Sequence, residues 1–216
     1  MAATKENPVI FYDLLSEHGP WSPNTYKTRL TLNYKRIPYR VEYVSFPDVT
    51  RKSEELGVKP TNPDGEIKYT LPMIADPSLV PNGKPTYVAD SFNIAIYLDK
   101  TYPAPKFPAV FPPGMRAVQK ITYDLFMKHG VFKQLPADTS IDSKFWGDLH
   151  GKWNWFGETL DLNEEDFAIG GIIFFVRRAE GGEMQMWKAM AEWQGGRWAR
   201  HWAEIEKLEK DSSEVA

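Results

Sequence analysis

The sequence contains no cysteine among its 216 residues. Disulfide bonds, thiolate metal sites and a cysteine nucleophile are therefore excluded. No glycine-rich phosphate loop is present, and we expect no metal site, because the histidines show no metal-ligand spacing. If the protein carries out thiol chemistry, the thiol must come from another molecule. The histidines are His18, His129, His150 and His201.

The sequence also lacks a basic excess and long apolar runs. It has 26 Lys and Arg against 29 Asp and Glu, a formal net charge of −3, which argues against nucleic acid as a main partner. No apolar stretch approaches the roughly 20 residues of a membrane helix. Residues 1–8 lack the apolar core of a secretory signal. We therefore expect a cytoplasmic protein with neither a nucleic-acid nor a membrane partner.

The first half of the chain has the pattern of a small mixed α/β domain. Short runs of β-branched and aromatic residues predict strands, and helical spacing of apolar residues predicts helices. The order is β-α-β-α-β-β-α. Strands are predicted at 8–15, 40–46, 69–75 and 86–89, and helices at 23–34, at 48–57 and from the cap at Asp90-Ser91 to just before Pro103.

Five prolines within residues 103–113 predict a stiff, extended connection and place the domain boundary there. Residues 1–103 form the predicted α/β domain, 104–113 the linker and 114–216 an all-α domain. Within the latter, 167–176 is apolar all round and should be buried, with Asn163 and Asp166 as a capping-box variant before it. The charged tail from Lys207 is expected to fray. Helices are predicted at 115–135, 144–156, 164–180 and 183–208, the last broken at Gly195-Gly196.

Seven of the eight tryptophans lie in the helical half. At helical spacing tryptophan is usually a core residue. The alternative is that some of them line an aromatic pocket where the two domains meet, a common location for ligand sites.

Ser22 stands immediately before a predicted helix, with Pro23 at the first helical position. The serine either caps the helix or points its hydroxyl at a bound sulfur. A free thiol has a pKa of about 8.5, and lowering it by ~2 units needs roughly 2.7 kcal/mol. A hydrogen bond from a hydroxyl to a thiolate supplies about 1.5–3 kcal/mol and a helix N-terminus about 0.3–1. Tyr12 is the rival hydroxyl, although a packed aromatic is the favoured interpretation there.

Two further turns have features of a peptide-binding site. A cis Leu71-Pro72 bond at the start of an edge strand would leave the backbone of Leu71 open to pair with an extended ligand; the alternative is an ordinary edge-strand proline. Asp90-Ser91 precedes a helix whose N–H groups suit a carboxylate, while Asp90 suits an ammonium group. The alternative there is a simple N-cap.

Taken together, these motifs resemble the cytosolic glutathione transferases over nearly the whole chain. In finer detail the chain resembles the fungal etherase-related (FuA-type) serine glutathione transferases. This rests on the stretches at 22–29, 33–39, 69–74, 90–91 and 193–198. The resemblance implies a thioredoxin-like N-terminal domain followed by an all-α domain.

The resemblance also implies a glutathione site. Ser22 would hold the thiolate with Asn24 nearby, Leu71 before cis Pro72 would pair with the cysteinyl unit, Asp90 and Ser91 would bind the γ-glutamyl end, and Lys59 would meet the glycine carboxylate. The implied activity is conjugation of glutathione to electrophilic aromatic, phenolic or isothiocyanate compounds in detoxification. The alternatives are a non-catalytic ligandin for polyphenols or wood-derived aromatics and a glutathione-dependent β-aryl etherase. A homodimer is expected by analogy.

Overall fold

The computed structural model divides the chain into two compact units, Met1–Phe111 together with Leu208–Ala216, and Pro112–Lys207. The predicted linker at 104–113 spans the point of division. The structure describes residues 3–17, 19–77, 83–111, 113–114, 116–117, 120, 147–148, 150–151, 153, 167–179 and 185–216.

The first unit contains a five-stranded sheet with helices on both faces. The order β-α-β-α-β-β-α is as predicted, apart from a two-residue strand that the sequence pattern did not indicate. The elements are β1 (Val9–Ser16), β2 (Gly19–Pro20), α1 (Pro23–Tyr34), β3 (Tyr39–Val44), a 3-10 turn (Phe46–Asp48), α2 (Val49–Glu55), β4 (Met73–Asp76), β5 (Thr86–Ala89) and α3 (Ser91–Thr101).

The strand β1 pairs with three others: parallel with β3 and antiparallel with β2 and β4. β5 then pairs antiparallel with β4. β4 is therefore an internal strand, and the prediction that Pro72 begins an edge strand is wrong. An internal position is tolerated because Pro72 precedes the first paired residue, Met73, and so no ladder hydrogen bond is lost.

Two apolar clusters fill the two faces of this sheet. Alternate residues of β1 point to opposite faces, so Phe11 and Tyr12 belong to different clusters. One cluster joins the sheet to α1 and α3 through Leu32 and Ile94. The other joins it to α2 through Val49. This is the thioredoxin-like arrangement that the resemblance implies.

The first half of the proline-rich segment folds back on this unit, so the prediction of an extended connection is wrong there. The N–H of Phe107 donates to the carbonyl of Pro103 at 3.2 Å, and its ring stacks edge-on against Tyr102 at 5.1 Å. Ala104-Pro105 is a cis peptide. The carboxylate of Asp99 accepts hydrogen bonds from the next stretch at Val110 and Phe111.

Two further helices are described, α4 (Phe167–Ala179) in the second unit and α5 (Gln185–Lys210), whose last three residues belong to the first unit. Much of α4 is buried, as its composition predicts. The predicted break in the last helix is confirmed, since Gln194, Gly195 and Gly196 have left-handed backbone angles. All described residues within 144–156 are helical, whereas most of 115–135 and the capping pair Asn163 and Asp166 lie outside the described residues. No helix in the described ranges is long and apolar enough to cross a membrane.

Tryptophans of the second unit pack in its interior. Trp153, Trp198 and Trp202 are buried. The rings of Trp153 and Trp198 stack edge-on at 4.5 Å, and the guanidinium of Arg177 lies 4.3 Å from the ring centre of Trp202. These three therefore behave as core residues.

Residues 211–216, which follow α5, are bound to the first unit. The N–H of Val215 donates to the carbonyl of Tyr39 at 2.8 Å, and the hydroxyl of Ser213 donates to the carbonyl of Ile37 at 2.8 Å. The expectation that the charged tail frays is wrong from this point onward. Backbone pairing with Tyr39 at the start of β3 and hydrogen-bonded serine hydroxyls outweigh its polar composition.

Candidate functional site

Ser22 occupies the cap position of α1 but does not act as a cap. The serine is 4% exposed, and its side chain makes no capping hydrogen bond. Its carbonyl accepts two bonds instead, from the N–H of Tyr26 and from the hydroxyl of Thr25, both at 3.1 Å. The helix is thus anchored through the backbone, and no described residue takes up the Ser22 hydroxyl.

The Leu71-Pro72 peptide is cis, and it stands directly before β4. Leu71 is 5% exposed, packed in the cluster that contains Tyr12 and Val49. Within the described part of the chain, its N–H and C=O have no hydrogen-bond partner. A buried backbone donor and acceptor normally find partners, so this pair is suited to an extended peptide ligand.

Asp90 is the N-cap of α3, as one of the two interpretations predicted. One carboxylate oxygen, Oδ1, accepts from the N–H groups of Phe92 at 3.1 Å and Asn93 at 3.0 Å. The second oxygen, Oδ2, has no partner among the described residues, and neither has the hydroxyl of Ser91. Capping therefore occupies only half of the Asp90 carboxylate and leaves an anionic oxygen beside a helix N-terminus.

A backbone hydrogen bond joins the Leu71-Pro72 turn to the Asp90-Ser91 turn. The N–H of Asp90 donates to the carbonyl of Pro72 at 3.1 Å. The same contact continues the pairing of β4 with β5, in which Met73 lies opposite Ala89. Leu71-Pro72 and Asp90-Ser91 are consequently neighbours in space, although 17 residues lie between Pro72 and Asp90 in the sequence.

The strand pairing of β1 brings the segment before Ser22 toward the segment after Leu71. Met73 lies opposite Tyr12, and Pro20 lies opposite Leu15. The two chain segments that lead to Leu71 and to Ser22 therefore approach the same short stretch of β1. Leu71 and Ser22 each lie two residues from a residue that pairs with this stretch of β1, which runs from Tyr12 to Leu15.

The structure adds less about the remaining candidates. Asn24 lies half-buried in the first turn of α1. Lys59 is exposed in the loop after α2, and no described contact joins it to Ser22, Leu71 or Asp90. In the described ranges no group of three or more His, Asp or Glu side chains is placed to hold a metal ion.

Tyr12 is a packed aromatic, as predicted. It is 4% exposed and belongs to the apolar cluster on the α2 face of the sheet. Burial, followed by the nearby Glu42 and Tyr87, raises the pKa of Tyr12 to about 12. Tyr12 lies within a strand and an apolar cluster, whereas Ser22 stands at the N-terminus of α1, which leaves Ser22 as the better candidate.

One functional feature was missed by the sequence reasoning. Thr25, 1% exposed, donates its hydroxyl to the carbonyl of Ser22 and so helps to fix the backbone of that residue. The available signal was a threonine three residues after the cap position, which is compatible with a bond back to that residue.

Comparison with known proteins agrees with this geometry. Residues 21–101 match the family model of the glutathione S-transferase N-terminal domain, and residues 151–208 match that of the C-terminal domain. The chain belongs to the glutathione S-transferase family.

Solved members of the family cover nearly the whole chain. The glutathione S-transferase CsGST63524 of Ceriporiopsis subvermispora, solved in complex with glutathione, is 29% identical with a TM-score of 0.77, covering 94% of this chain and 98% of its own. Glutathione transferase GSTFuA2 of Phanerochaete chrysosporium is 28% identical with a TM-score of 0.71, over 94% and 98%. The predicted resemblance to fungal FuA-type transferases is thereby confirmed.

A curated relative matches over a shorter stretch. The glutathione S-transferase-like protein ustS of Aspergillus flavus is 41% identical over 118 residues. The match spans 53% of this chain and 41% of the length of that protein.

Proposed function

We propose that this chain conjugates the thiolate of glutathione to electrophilic aromatic, phenolic or isothiocyanate compounds in detoxification, with Ser22 as the catalytic residue. The observation that carries the proposal is the uncommitted Ser22 hydroxyl at the start of α1. The family membership and the glutathione bound to a 29% identical relative support the choice of thiol.

The backbone of Leu71 and the start of α3 would hold glutathione in place. The N–H and C=O of Leu71 pair with the cysteinyl unit in β-fashion, which places its sulfur next to Ser22. The γ-glutamyl carboxylate accepts from the N–H and hydroxyl of Ser91, and the ammonium group lies against Oδ2 of Asp90. In this proposal Asn24 lies near the sulfur, and Lys59 meets the glycine carboxylate.

The chemistry needs no base and no metal. The bound thiol loses its proton to water, and the hydroxyl of Ser22 donates a hydrogen bond to the resulting thiolate. The sulfur then forms a bond to the electrophilic carbon, and the leaving group departs with its electron pair. With an isothiocyanate the sulfur adds to the central carbon, and the nitrogen takes a proton from water.

An ultraviolet difference titration of the glutathione complex tests the role of Ser22. We expect thiolate absorbance to appear about two pH units below the free thiol, because the hydroxyl and the helix N-terminus together supply roughly 2–4 kcal/mol. In Ser22→Ala the pKa should return close to its free value while the affinity for glutathione changes little. Turnover near neutral pH should fall by about 25-fold, the ratio of the thiolate fractions at pH 7 for pKa values of about 6.5 and 8.5.

Ser45→Ala is the matched control. Ser45 also precedes a proline-containing helical turn without capping it, and its hydroxyl donates to Asp48 instead. Bound glutathione that stays protonated in the wild-type protein would contradict the proposal. Absence of glutathione binding together with tryptophan quenching by polyphenols would indicate a ligandin, and release of a phenol from an aryl-ether substrate would indicate an etherase.

A homodimer in the cytosol is part of the proposal by analogy with the family. Light scattering on the purified protein and fractionation of the producing cells would test these two points.

A further inference from the structure

Arg29 on α1 holds two carboxylates at once. Its Nη2 lies 3.0 Å from Asp13 Oδ2 and its Nη1 lies 2.8 Å from Glu214 Oε2. The Asp13 side chain is 1% exposed and the Arg29 side chain 11% exposed, so this ion pair is shielded from water. Two separate nitrogens are used, which only the planar guanidinium fork allows.

The Asp13–Arg29 pair closes a loop that contains Ser22. Asp13 stands two residues before Leu15, and Ser22 stands two residues after Pro20, the partner of Leu15 in the β1–β2 hairpin. Ser22 immediately precedes α1, and Arg29 lies two helical turns after Ser22. The hairpin pairing and the ion pair are therefore two of the non-covalent links that fix the ends of this loop, beside the packing of α1 in the core.

Asp13 is itself held firmly within β1. Its Oδ1 accepts from the N–H of Leu14 at 2.7 Å, and its position in the strand pairs it with Tyr43. The guanidinium of Arg29 also lies 5.4 Å from the ring centre of Phe11, a residue of the buried core. The Asp13 carboxylate is thus held in a fixed position on β1.

The segment 211–216 supplies the second carboxylate. Glu214 lies between Ser213 and Val215, whose bonds to Ile37 and Tyr39 fix the backbone of the segment. The Glu214 side chain is 40% exposed, and its loss leaves Arg29 still paired with Asp13. Its contact with Arg29 therefore orients the guanidinium more than it stabilises the fold.

We propose that Arg29 is a positioning residue for Ser22 and that Glu214 holds Arg29 in place, so that docking of the segment 211–216 sets the activity of the glutathione site. The inference rests on the proposed function of Ser22. Hydrogen bonds weaken steeply with distance and angle, and a shift of α1 along the sheet therefore weakens the bond from Ser22 to the thiolate.

Glu214→Gln tests this inference against Asp211→Asn. Both variants remove one negative charge from the same segment, but Asp211 pairs with the exposed Arg36, away from Asp13. In Glu214→Gln we expect the pKa of bound glutathione to rise by about half a unit to one unit and kcat/KM below that pKa to fall by roughly three- to tenfold. Asp211→Asn should change neither quantity.

Arg29→Lys provides a second variant, because lysine keeps the charge but lacks the fork that contacts both carboxylates. It should reproduce the effect of Glu214→Gln on the pKa of bound glutathione. A merely structural role would lower the melting temperature of the variants and leave that pKa unchanged, and this result would overturn the inference.

Hydrogen exchange at the amide of Tyr26 separates this inference from the proposed function, because this amide donates to the carbonyl of Ser22 and needs no ligand. If wild-type glutathione stays protonated, the proposed function fails. The positioning role is then supported only if Glu214→Gln accelerates this exchange and Asp211→Asn does not. Equal exchange in both variants would reject it.

Discussion

The N–H of Asp90 donates to the carbonyl of Pro72 at 3.1 Å, and this single backbone bond joins the cis-proline turn to the start of α3. Asp90 makes the contact with a φ of 74° and a ψ of 127°, a positive-φ conformation outside the left-handed helical region that few side chains adopt. A local strain of this kind persists only where neighbouring structure imposes it. Here the capping bonds to Phe92 and Asn93 do so.

Asp90→Asn should separate the capping role of this residue from its proposed binding role. Asparagine caps helices about as well as aspartate and tolerates the same backbone angle, so the melting temperature should change little. Loss of the charge should weaken glutathione binding by roughly 10- to 100-fold, the value of a charge-assisted hydrogen bond. Titration calorimetry and thermal melts measure the two effects.

Asp90→Ala is the companion variant, because it removes the cap as well. The Asp90→Ala protein should lose about 1 kcal/mol of folding stability in addition to the loss of affinity for glutathione. Equal affinities for wild type and Asp90→Asn would show that Asp90 is only a cap.

Tyr12→Phe should leave turnover nearly unchanged. The phenol is packed in the apolar cluster on the α2 face of the sheet and, unlike Ser22, does not stand at a helix N-terminus. A loss of activity comparable with that of Ser22→Ala would instead make Tyr12 the catalytic hydroxyl. Steady-state kinetics of the two variants side by side would decide this.

The raised pKa of Tyr12 also predicts a pH dependence of stability. The unfolded chain loses this proton near its usual pKa of 10, whereas the folded protein keeps it until about 12. The contribution is therefore fully present below pH 10 and is lost as the pH rises toward 12. Urea unfolding at alkaline pH should show a smaller decline in stability for Tyr12→Phe than for the wild type.

Lys35→Met should be strongly destabilising. The ammonium group is fully buried and bound at 2.7 Å to both Asp99 Oδ1 and the carbonyl of Pro108. Removing one partner of a buried pair leaves the other uncompensated, at a cost of about 3–5 kcal/mol. Urea unfolding should show this loss, while Lys207→Met, which breaks an exposed pair with Glu204, should change stability by less than about 1 kcal/mol.

Gly196→Ala should destabilise the protein and Gly151→Ala should not. Gly196 has a φ of 79° in the break of α5, and an added Cβ would lie 3.4 Å from Arg200 Nη1. The left-handed angle alone costs alanine about 1–2 kcal/mol. Gly151 is helical with open space around it, so alanine should add roughly 0.4–1 kcal/mol there. Thermal unfolding of both variants would show shifts of opposite sign, and equal shifts would contradict this prediction.

Local signals were sufficient for several elements. The bounds of α1 at 23 and 34 agree with the prediction because Pro23 fixes one end and the turn before Pro38 follows the other. The break in α5 follows from two adjacent glycines. β2 was missed because two residues, one of them a proline, carry no periodic pattern.

The two errors about the proline-rich segment and the charged tail have one cause. Both segments look extended or frayed when judged by composition alone. Asp99 binds the first through the amides of Val110 and Phe111, and Tyr39 binds the second through its backbone. Partners this distant in sequence leave no local trace.

By itself the sequence determined the element order, the family and the identity of each candidate residue, because caps, prolines and apolar periodicity act within a few neighbouring positions. Only the tertiary structure decided that the Ser22 hydroxyl makes no capping bond, that Pro72 and Asp90 share a hydrogen bond, and that Arg29 joins Asp13 to Glu214. These relationships depend on strand register and on side chains up to 185 residues apart, which are set by packing the whole sheet.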